Sequence, residues 1–265
     1  MSSITTDQGI LHYEVFGRGR PVILLHGWLG SWSLWHETMT YLGQYYRTYA
    51  LDFWGFGESD NKRSTYFVKD FVSLVDQFME QMGILSAPLV GHSMGGTVSL
   101  SVALQHPNRV QKVTIIGSPI VGSSLAFPLK LAGRRPIAFL LFTFFPAFRL
   151  AMRFASPYIC SAPNFPEMMD RDLSQTSLES FLLSIASLRR TDLRPDLKRL
   201  RIPVMGMFGD RDNIVSPKQW MALQAGVPYA RIERFKKAGH FIMMDEPESC
   251  RTKLKDFLDT PVNTL

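Results

Sequence analysis

The chain has 265 residues, of which 46% are hydrophobic and 20% charged, and its formal net charge is +6. This composition excludes a disordered chain, and a chain of this length buries enough surface to fold without a metal or a disulfide. The cysteines, Cys160 and Cys250, stand in unrelated contexts, so neither a disulfide framework nor a cysteine-based metal site is expected. The first seven residues lack the basic segment and apolar run of a secretory signal, which predicts a cytoplasmic protein.

Short apolar runs alternate along the chain with amphipathic segments of helical length. This alternation indicates βαβ units and a parallel sheet that is covered on both faces. Buried strands are predicted at 21–25, 89–90, 113–116, 204–208 and 230–235. Helices are predicted at 66–82, where Gly83 would end the helix, at 98–104 and at 247–258.

The strand pattern stops after Pro119 and resumes at Ile202. The segment between them is predicted to be a helical insertion, which Pro128, Pro136 and Pro146 divide into short helices. Residues 136–148 carry no charge, but they are too few to span a membrane, which takes about 20 residues. The pattern favours a buried or pocket-facing helix at 136–148.

The charge of the chain is unevenly distributed. Between Glu80 and Glu167 there is no acidic residue, and the same stretch carries seven basic ones: Arg109, Lys112, Lys130, Arg134, Arg135, Arg149 and Arg153. Basic side chains that flank apolar helices are typical of peripheral contact with an anionic membrane, and the plain alternative is a solvated basic surface. Nucleic acid is not expected as a partner, because no basic patch with interleaved aromatics stands beside a known binding motif.

The strongest chemical signal is the sequence Gly-His-Ser-Met-Gly-Gly at 91–96. It matches G-x-S-x-G and lies between a predicted strand and a predicted helix, as a nucleophilic serine on a sharp turn requires. Gly91 and Gly95 leave room for the strained backbone of Ser93, which we predict to be the nucleophile. A chance match in a glycine-rich turn is the alternative.

A second motif, His-Gly-Trp-Leu-Gly at 26–30, follows the predicted strand 21–25. A loop in this position can direct a backbone amide at the nucleophile. We therefore expect the amides of Trp28 and Met94 to form the oxyanion hole, with His26 and Gly27 supporting the loop. The glycines of this motif fit a simple strand-to-helix turn equally well.

With Leu-Asp-Phe-Trp-Gly-Phe-Gly-Glu-Ser at 51–59 between them, the two motifs resemble those of the α/β-hydrolase superfamily, in its capped esterase, lipase and C–C-hydrolase branch. The resemblance covers nearly the whole chain and is weakest at 119–194. It implies an α/β fold, with a mostly parallel eight-stranded sheet flanked by helices. It also implies core segments at 1–118 and 195–265, a helical cap at 119–194, and no cofactor or metal ion.

The family order of nucleophile, acid and histidine directs attention to two later loops. Asp210 and Asp212 both follow the strand 204–208, and the family's acid stands just before a short Ile/Val stretch that ends in proline. Asp212 fits that position, while Asp210 would support the turn. His240 follows the strand 230–235 beside a glycine and is the expected base.

Ser93, His240 and Asp212 together predict a serine hydrolase that cleaves small-molecule carboxylic esters through an acyl-enzyme. The apolar insertion favours an apolar acyl group. Two alternatives stay open: a C–C bond hydrolase of vinylogous diketones with the same triad, and a ligand-binding scaffold without catalysis. Such C–C hydrolases often carry asparagine where His92 stands, which favours esters. The natural ester and the oligomeric state are not predicted.

Overall fold

The computed structural model describes residues 2–61 and 65–261. Within these ranges eight strands form one sheet: β1 (Ser2–Thr6), β2 (Gly9–Phe16), β3 (Pro21–Leu25), β4 (Arg47–Leu51), β5 (Ala87–His92), β6 (Val110–Ile116), β7 (Val204–Gly209) and β8 (Arg231–Phe235). Their order across the sheet is β1-β2-β4-β3-β5-β6-β7-β8. Strand β2 runs antiparallel to both of its neighbours, and all other neighbouring pairs are parallel. The predicted class, a mostly parallel eight-stranded sheet flanked by helices, is confirmed.

The helices of the described residues lie between and after these strands. They are α1 (His36–Leu42), α2 (Val68–Gln81), α3 (Met94–Gln105), α4 (Phe127–Ala132), α5 (Arg135–Thr143), α6 (Phe145–Ala155), α7 (Phe165–Ser174), α8 (Leu178–Arg190), α9 (Arg194–Leu197), α10 (Gln219–Gly226), α11 (Ile242–Asp245) and α12 (Pro247–Asp259). We call α4–α8, which lie between β6 and β7, the insertion helices.

The continuous apolar runs of the central strands follow from burial on both faces of the sheet. In β3, Ile23 and Leu25 pack into a core cluster that contains α2, while Val22 and Leu24 pack into a second cluster that contains α12. Because successive side chains of a strand point to opposite faces, each face needs its own apolar residues. The sheet therefore separates two cores.

The five strands that the sequence predicts are all present, with bounds within three residues of those observed. The strands β1, β2 and β4 were not identified from the residues. In β1 only Ile4 is aliphatic, and its burial alternates as in an edge strand with one solvated face. Strand β1 therefore lacks a continuous apolar run because only one of its faces is covered.

The predicted helix ends agree with the backbone. Gly83, directly after the C-cap of α2, has a φ of 65°, a left-handed conformation that closes helices and favours glycine. Helix α3 begins at Met94, four residues before its predicted start, because Ser93 is its N-cap. The helix N-terminus thus lies directly behind Ser93.

Prolines in the first turns of α4, α5 and α6 start these helices, as the sequence predicts for a helical insertion. The expectation that 136–148 is buried or faces a pocket is wrong. In α5 only Ala138 is buried, and Phe139 is 64% exposed. Phe144, directly after this helix, is 60% exposed. The break before Pro146 turns the chain sharply, so two short helices each keep one side in solvent.

Within the described residues no single helix has the length and apolar character to cross a membrane. Residues of α5 and the segment Phe145–Tyr158 reach that length and composition only as a pair bent by 97°. The division into core segments 1–118 and 195–265 and a cap at 119–194 stays a prediction. Its outer ends, residue 1 and residues 262–265, lie outside the described residues.

Candidate active site

Ser93 occupies the sharp turn between β5 and α3. Its φ of 51° and ψ of −118° lie in a region that side chains other than glycine rarely adopt. A Cβ on Gly91 would overlap the Gly95 carbonyl, and a Cβ on Gly95 would overlap the carbonyl of Leu25. The Ser93 amide also donates to Ile116 of β6 at 2.8 Å. The two glycines and the neighbouring strand therefore hold the turn in its strained form.

His240 and Asp212 lie in the loops that follow β8 and β7. The His240 ring nitrogen Nδ1 is 2.8 Å from Asp212 Oδ2. The other oxygen, Oδ1, accepts the amides of Ile214 and Val215 at 2.9 and 2.8 Å. With Nδ1 donating to a fixed carboxylate, Nε2 is the nitrogen that can accept a proton.

The structure separates the two carboxylates between which the sequence left a choice. Asp212 contacts the histidine, whereas the carboxylate of Asp210 accepts hydrogen bonds from Arg234 at 2.8 and 3.0 Å. Asp210 is thus neutralised on the other side of the loop.

Ser93 and His240 line the same pocket, and both are buried. Across the described residues no hydrogen bond joins the Ser93 hydroxyl to the His240 ring. In enzymes without bound substrate, the contact between nucleophile and base is often long and shortens only in the complex. The structure therefore brings the serine and the histidine into one pocket without a hydrogen bond between them.

The loop after β3 lies against Ser93. A Cβ on Gly27 would lie 3.0 Å from the Ser93 Cβ and 2.8 Å from His92 Nδ1, so only glycine allows this approach. Trp28 lines the pocket, and its indole donates to the Phe181 carbonyl of α8 at 3.2 Å. In the described parts of the chain, the amides of Trp28 and Met94 have no hydrogen-bond acceptor.

His26 supports this loop from behind. Its Nε2 accepts the Phe53 amide at 2.9 Å, and its Nδ1 donates to the carbonyl of Gly27 at 2.7 Å. Complete burial lowers the pKa of His26, which keeps the ring neutral with one donor and one acceptor. His26 therefore positions the loop and does not face the pocket.

The pocket measures about 860 Å³ including its open mouth, and it is mostly apolar. Its core side carries Leu34, Ile214 and Phe241. Its other side comes from the insertion helices and their connections, namely Leu125, Leu129, Met152, Ile159, Phe165, Met168, Met169, Leu173, Ile185 and Leu188. Titratable side chains enter it only at His92, Asp172 and His240.

Neither His92 nor Asp172 was a candidate site residue from the sequence. The ring of His92 lies 4.7 Å from that of His240 and donates from Nε2 to the His240 carbonyl at 3.2 Å. Burial, and secondarily the neighbouring His240, hold the pKa of His92 well below its usual value. Asp172 of α7 is only 2% exposed, and burial raises its pKa to about 6. Its neighbour Asp170 looks the same in sequence, so no pattern distinguishes the buried carboxylate.

Within the described ranges, no group of three or more His, Cys, Asp and Glu side chains has the arrangement of a metal site. Cys160 and Cys250 are both buried and free.

A family model described as the α/β-hydrolase fold matches residues 20–247. A pimeloyl-[acyl-carrier protein] methyl ester esterase of Vibrio cholerae is 26% identical to this chain, over 93% of this chain and 97% of its own length. A 2-hydroxy-6-oxo-6-phenylhexa-2,4-dienoate hydrolase of Comamonas testosteroni is also 26% identical, over 94% and 91%. Among solved structures, an enol-lactonase of Burkholderia xenovorans LB400 has a TM-score of 0.81 at 20% identity, covering 98% of this chain and all of its own.

Proposed function

The chain belongs to the α/β-hydrolase family and is a carboxylic-ester hydrolase, and we propose that it cleaves esters with an apolar acyl group through an acyl-enzyme on Ser93. The observation that carries the proposal is the 2.8 Å contact between His240 and Asp212 beside the strained turn of Ser93. A serine nucleophile needs a base and a group that orients the base, and this pocket supplies both.

In the first half of the reaction, the Ser93 hydroxyl attacks the ester carbonyl while His240 Nε2 takes its proton. Asp212 stabilises the resulting imidazolium. The amides of Trp28 and Met94 stabilise the negative charge on the carbonyl oxygen, and Met94 lies at the N-terminus of α3. The protonated His240 then gives its proton to the departing alcohol, which leaves an acyl group on Ser93.

In the second half, His240 takes a proton from a water molecule that attacks the acyl carbon. The same two amides hold the second oxyanion, and as it collapses His240 returns the proton to the Ser93 oxygen, which releases the carboxylic acid and restores Ser93. The apolar lining of the pocket supports an apolar acyl group, since burial of each methylene contributes about 0.8 kcal/mol.

Hydrolysis of p-nitrophenyl esters of graded chain length tests this proposal. We expect burst release with the wild type and a loss of at least about 10⁴-fold in kcat for Ser93→Ala. Ser101→Ala is the matched control, because its hydroxyl is buried in the same helix and bonded to the Thr97 carbonyl. Labelling with a fluorophosphonate followed by peptide mapping must place the adduct on Ser93, and an adduct elsewhere contradicts the assignment.

C–C bond cleavage is the second candidate, because it is an activity of the branch that the motifs resemble, and one relative as similar as the esterases is named a hydrolase of 2-hydroxy-6-oxo-6-phenylhexa-2,4-dienoate. A comparison of kcat/KM for an ester and for a vinylogous diketone separates the two functions. Ligand binding with no turnover of either compound would instead support a binding scaffold.

We also propose that the insertion helices contact an anionic lipid surface. They expose large apolar side chains, namely Phe127, Phe139, Leu140, Phe144, Leu150 and Phe154. Two arginines of this region are already paired, Arg149 with Asp170 and Arg153 with Glu167. Among the described residues, no acidic side chain pairs with Lys130, Arg134 or Arg135. Basic side chains beside exposed apolar ones suit the surface of an anionic membrane.

Sedimentation with vesicles tests this contact. We expect binding to phosphatidylserine-containing vesicles, weaker binding at high salt, and at least a fivefold loss of affinity in the double variant Phe139→Ser/Phe144→Ser. Leu85→Ser is the matched control, since Leu85 is 82% exposed in the turn between α2 and β5. Equal binding to neutral vesicles, or equal binding by both variants, would rule out the proposed surface.

A further inference from the structure

One carboxylate in the apolar pocket has no part in the proposed mechanism. Asp172 of α7 lines the pocket together with Ser93 and His240, and it is the one carboxylic acid in that lining. Its side chain is almost completely buried. A buried carboxylate in apolar surroundings is costly unless it is paired or has a use.

Among the described residues, only one of the two carboxylate oxygens of Asp172 has hydrogen-bond partners. Oδ1 accepts the Ser31 hydroxyl at 2.9 Å and lies 3.4 Å from two nitrogens of Arg171, whose side chain is half exposed. In the described residues Oδ2 has no hydrogen-bond donor. Ser31 directly follows the loop that carries Trp28, so the carboxylate stands where α7 meets the oxyanion loop.

A purely structural role would be complete with Oδ1 alone, because the Ser31 contact already ties α7 to the core. Asp172 lines the pocket, so its unpaired oxygen would be the acceptor that a ligand meets there. Its neighbours in the lining, among them Met168 and Leu173 on the same helix, are apolar. A ligand group that donates a hydrogen bond would find Asp172 as its acceptor there.

From this geometry we infer that Asp172 determines specificity for esters that carry a hydrogen-bond donor, a hydroxyl or an ammonium group, on the portion that occupies the pocket. This inference rests on the proposed function, and it names the substrate class of the same site. A site with a buried unpaired acceptor rejects an analogue that lacks the donor, because the acceptor is then left without a partner.

Methyl esters whose acyl chains of four to eight carbons end in a methyl, a hydroxyl or an ammonium group provide the test. These three end groups have nearly the same size, and hydrolysis can be followed by pH-stat titration. For the chain length that is hydrolysed fastest, the ratio compared is kcat/KM for the donor-bearing ester divided by kcat/KM for the methyl-ended ester. We expect this ratio to be at least tenfold lower in Asp172→Leu than in the wild type. In Asp172→Asn we expect the ammonium ratio to fall more than the hydroxyl ratio, since the amide oxygen can still accept but carries no charge. Glu167→Gln, on the solvent side of α7, should leave both ratios unchanged.

The wild type alone gives a second readout. Lowering the pH from 8 to 5 should reduce the ammonium ratio as Asp172 takes up a proton, and Asp172→Asn should remove this dependence. The charged or titratable groups that face Asp172 are Arg171 on its own helix, Asp52 on the core side, and His92 and His240 across the pocket. Asp172→Asn keeps all of these groups, so any pH dependence that they cause would survive in the variant and only the part due to Asp172 would be lost.

Each outcome separates the inference from the proposed function. If esters are hydrolysed but Asp172→Leu keeps the wild-type ratios, the inference is wrong and the function stands. If no ester is hydrolysed, calorimetric binding of the same esters still decides the inference: a donor-bearing ester that loses at least tenfold in affinity in Asp172→Leu supports it, and equal affinities overturn it.

Discussion

The backbone of Ser93 is the most strained point that the described residues place in the pocket. A side chain in such a conformation costs about 1–3 kcal/mol, and it persists only where the surroundings enforce it. Here Gly91 and Gly95 enforce it by close packing against neighbouring carbonyls.

Gly95→Ala should therefore disable the enzyme. The new Cβ would press on the Leu25 carbonyl and displace Ser93, and a shift of about 1 Å costs on the order of 100-fold in rate. Gly83→Ala is the control, because a Cβ there meets nothing within 4 Å and strains only a left-handed backbone far from the pocket. Ester hydrolysis by the two folded variants is the measurement, and a Gly95→Ala protein of normal activity would contradict the role given to this turn.

The buried carboxylate of Asp172 should also affect stability. Burial raises its pKa from 3.8 to about 6, so the folded protein holds more protons than the unfolded chain between these values. The free energy of unfolding should thus fall as the pH rises from about 4 to about 6, by at most about 3 kcal/mol. Asp172→Asn should remove this fall, so the stability of the variant relative to the wild type should be greater at pH 8 than at pH 4.5. Urea unfolding at both pH values measures these free energies. A stability difference between variant and wild type that is the same at both pH values would contradict the prediction.

At this scale, the sequence predicted the residues that belong to motifs and missed those that depend on burial. Ser93 was predicted from its motif, and Asp212 and His240 from the order of nucleophile, acid and histidine that the family resemblance implies. Asp170 and Asp172 are two positions apart on α7, yet the first pairs with Arg149 and the second is buried in the pocket. Only the packing of α7 distinguishes them.

The insertion helices are short, and ion pairs join two of them. Both oxygens of Asp170 on α7 accept hydrogen bonds from Arg149 on α6, at 2.8 and 2.6 Å. The pair holds the pKa of Asp170 below its usual value through this hydrogen bond. Since both side chains are about one-third exposed, its contribution to global stability should be small.

Asp170→Asn should lower the free energy of unfolding by less than about 1 kcal/mol but should speed proteolysis between α6 and α7. Asp192→Asn serves as the control, because Asp192 pairs with Arg194 only two residues away, at the start of α9, and this pair does not join two helices. Limited proteolysis with mass mapping gives the cut sites. Equal cutting of both variants would mean that the pair does not hold α6 against α7.

Among the elements, those with an apolar run or a proline start were predictable. Proline is the second residue of α4, α5 and α6, and apolar runs mark β3 and β7. The exposure of α5 was not predictable, because an uncharged helix normally indicates burial. Pro146 predicts a break after α5, but no local pattern predicts the bend of 97° between the two helical segments.

On the scale of the whole molecule, the pocket lies between the strand-end loops and the insertion helices, and residues of both line it. A long acyl group would therefore bridge the two parts. Two hydrogen bonds near the pocket, Ser31–Asp172 and Trp28–Phe181, each join the loop after β3 to an insertion helix.

We expect an octyl phosphonate on Ser93 to slow amide hydrogen exchange in α6, α7 and α8, because its chain would contact Met152, Met168 and Ile185. A methyl phosphonate should leave exchange in these helices nearly unchanged while it protects the loops around Ser93. Exchange followed by mass spectrometry compares the two adducts. Equal protection by both would mean that the acyl group does not reach the insertion helices.

The order in which the chain is made has a consequence for the proposed chemistry. Ser93 is translated before His240, and in the folded chain the loop that carries His240 follows β8 at one edge of the sheet. Lys112 of β6 binds the carbonyls of Phe257 and Leu258 at 2.8 Å and holds the end of α12. A nascent chain would therefore carry the proposed nucleophile without its proposed base until β8 and the loop after it have been made.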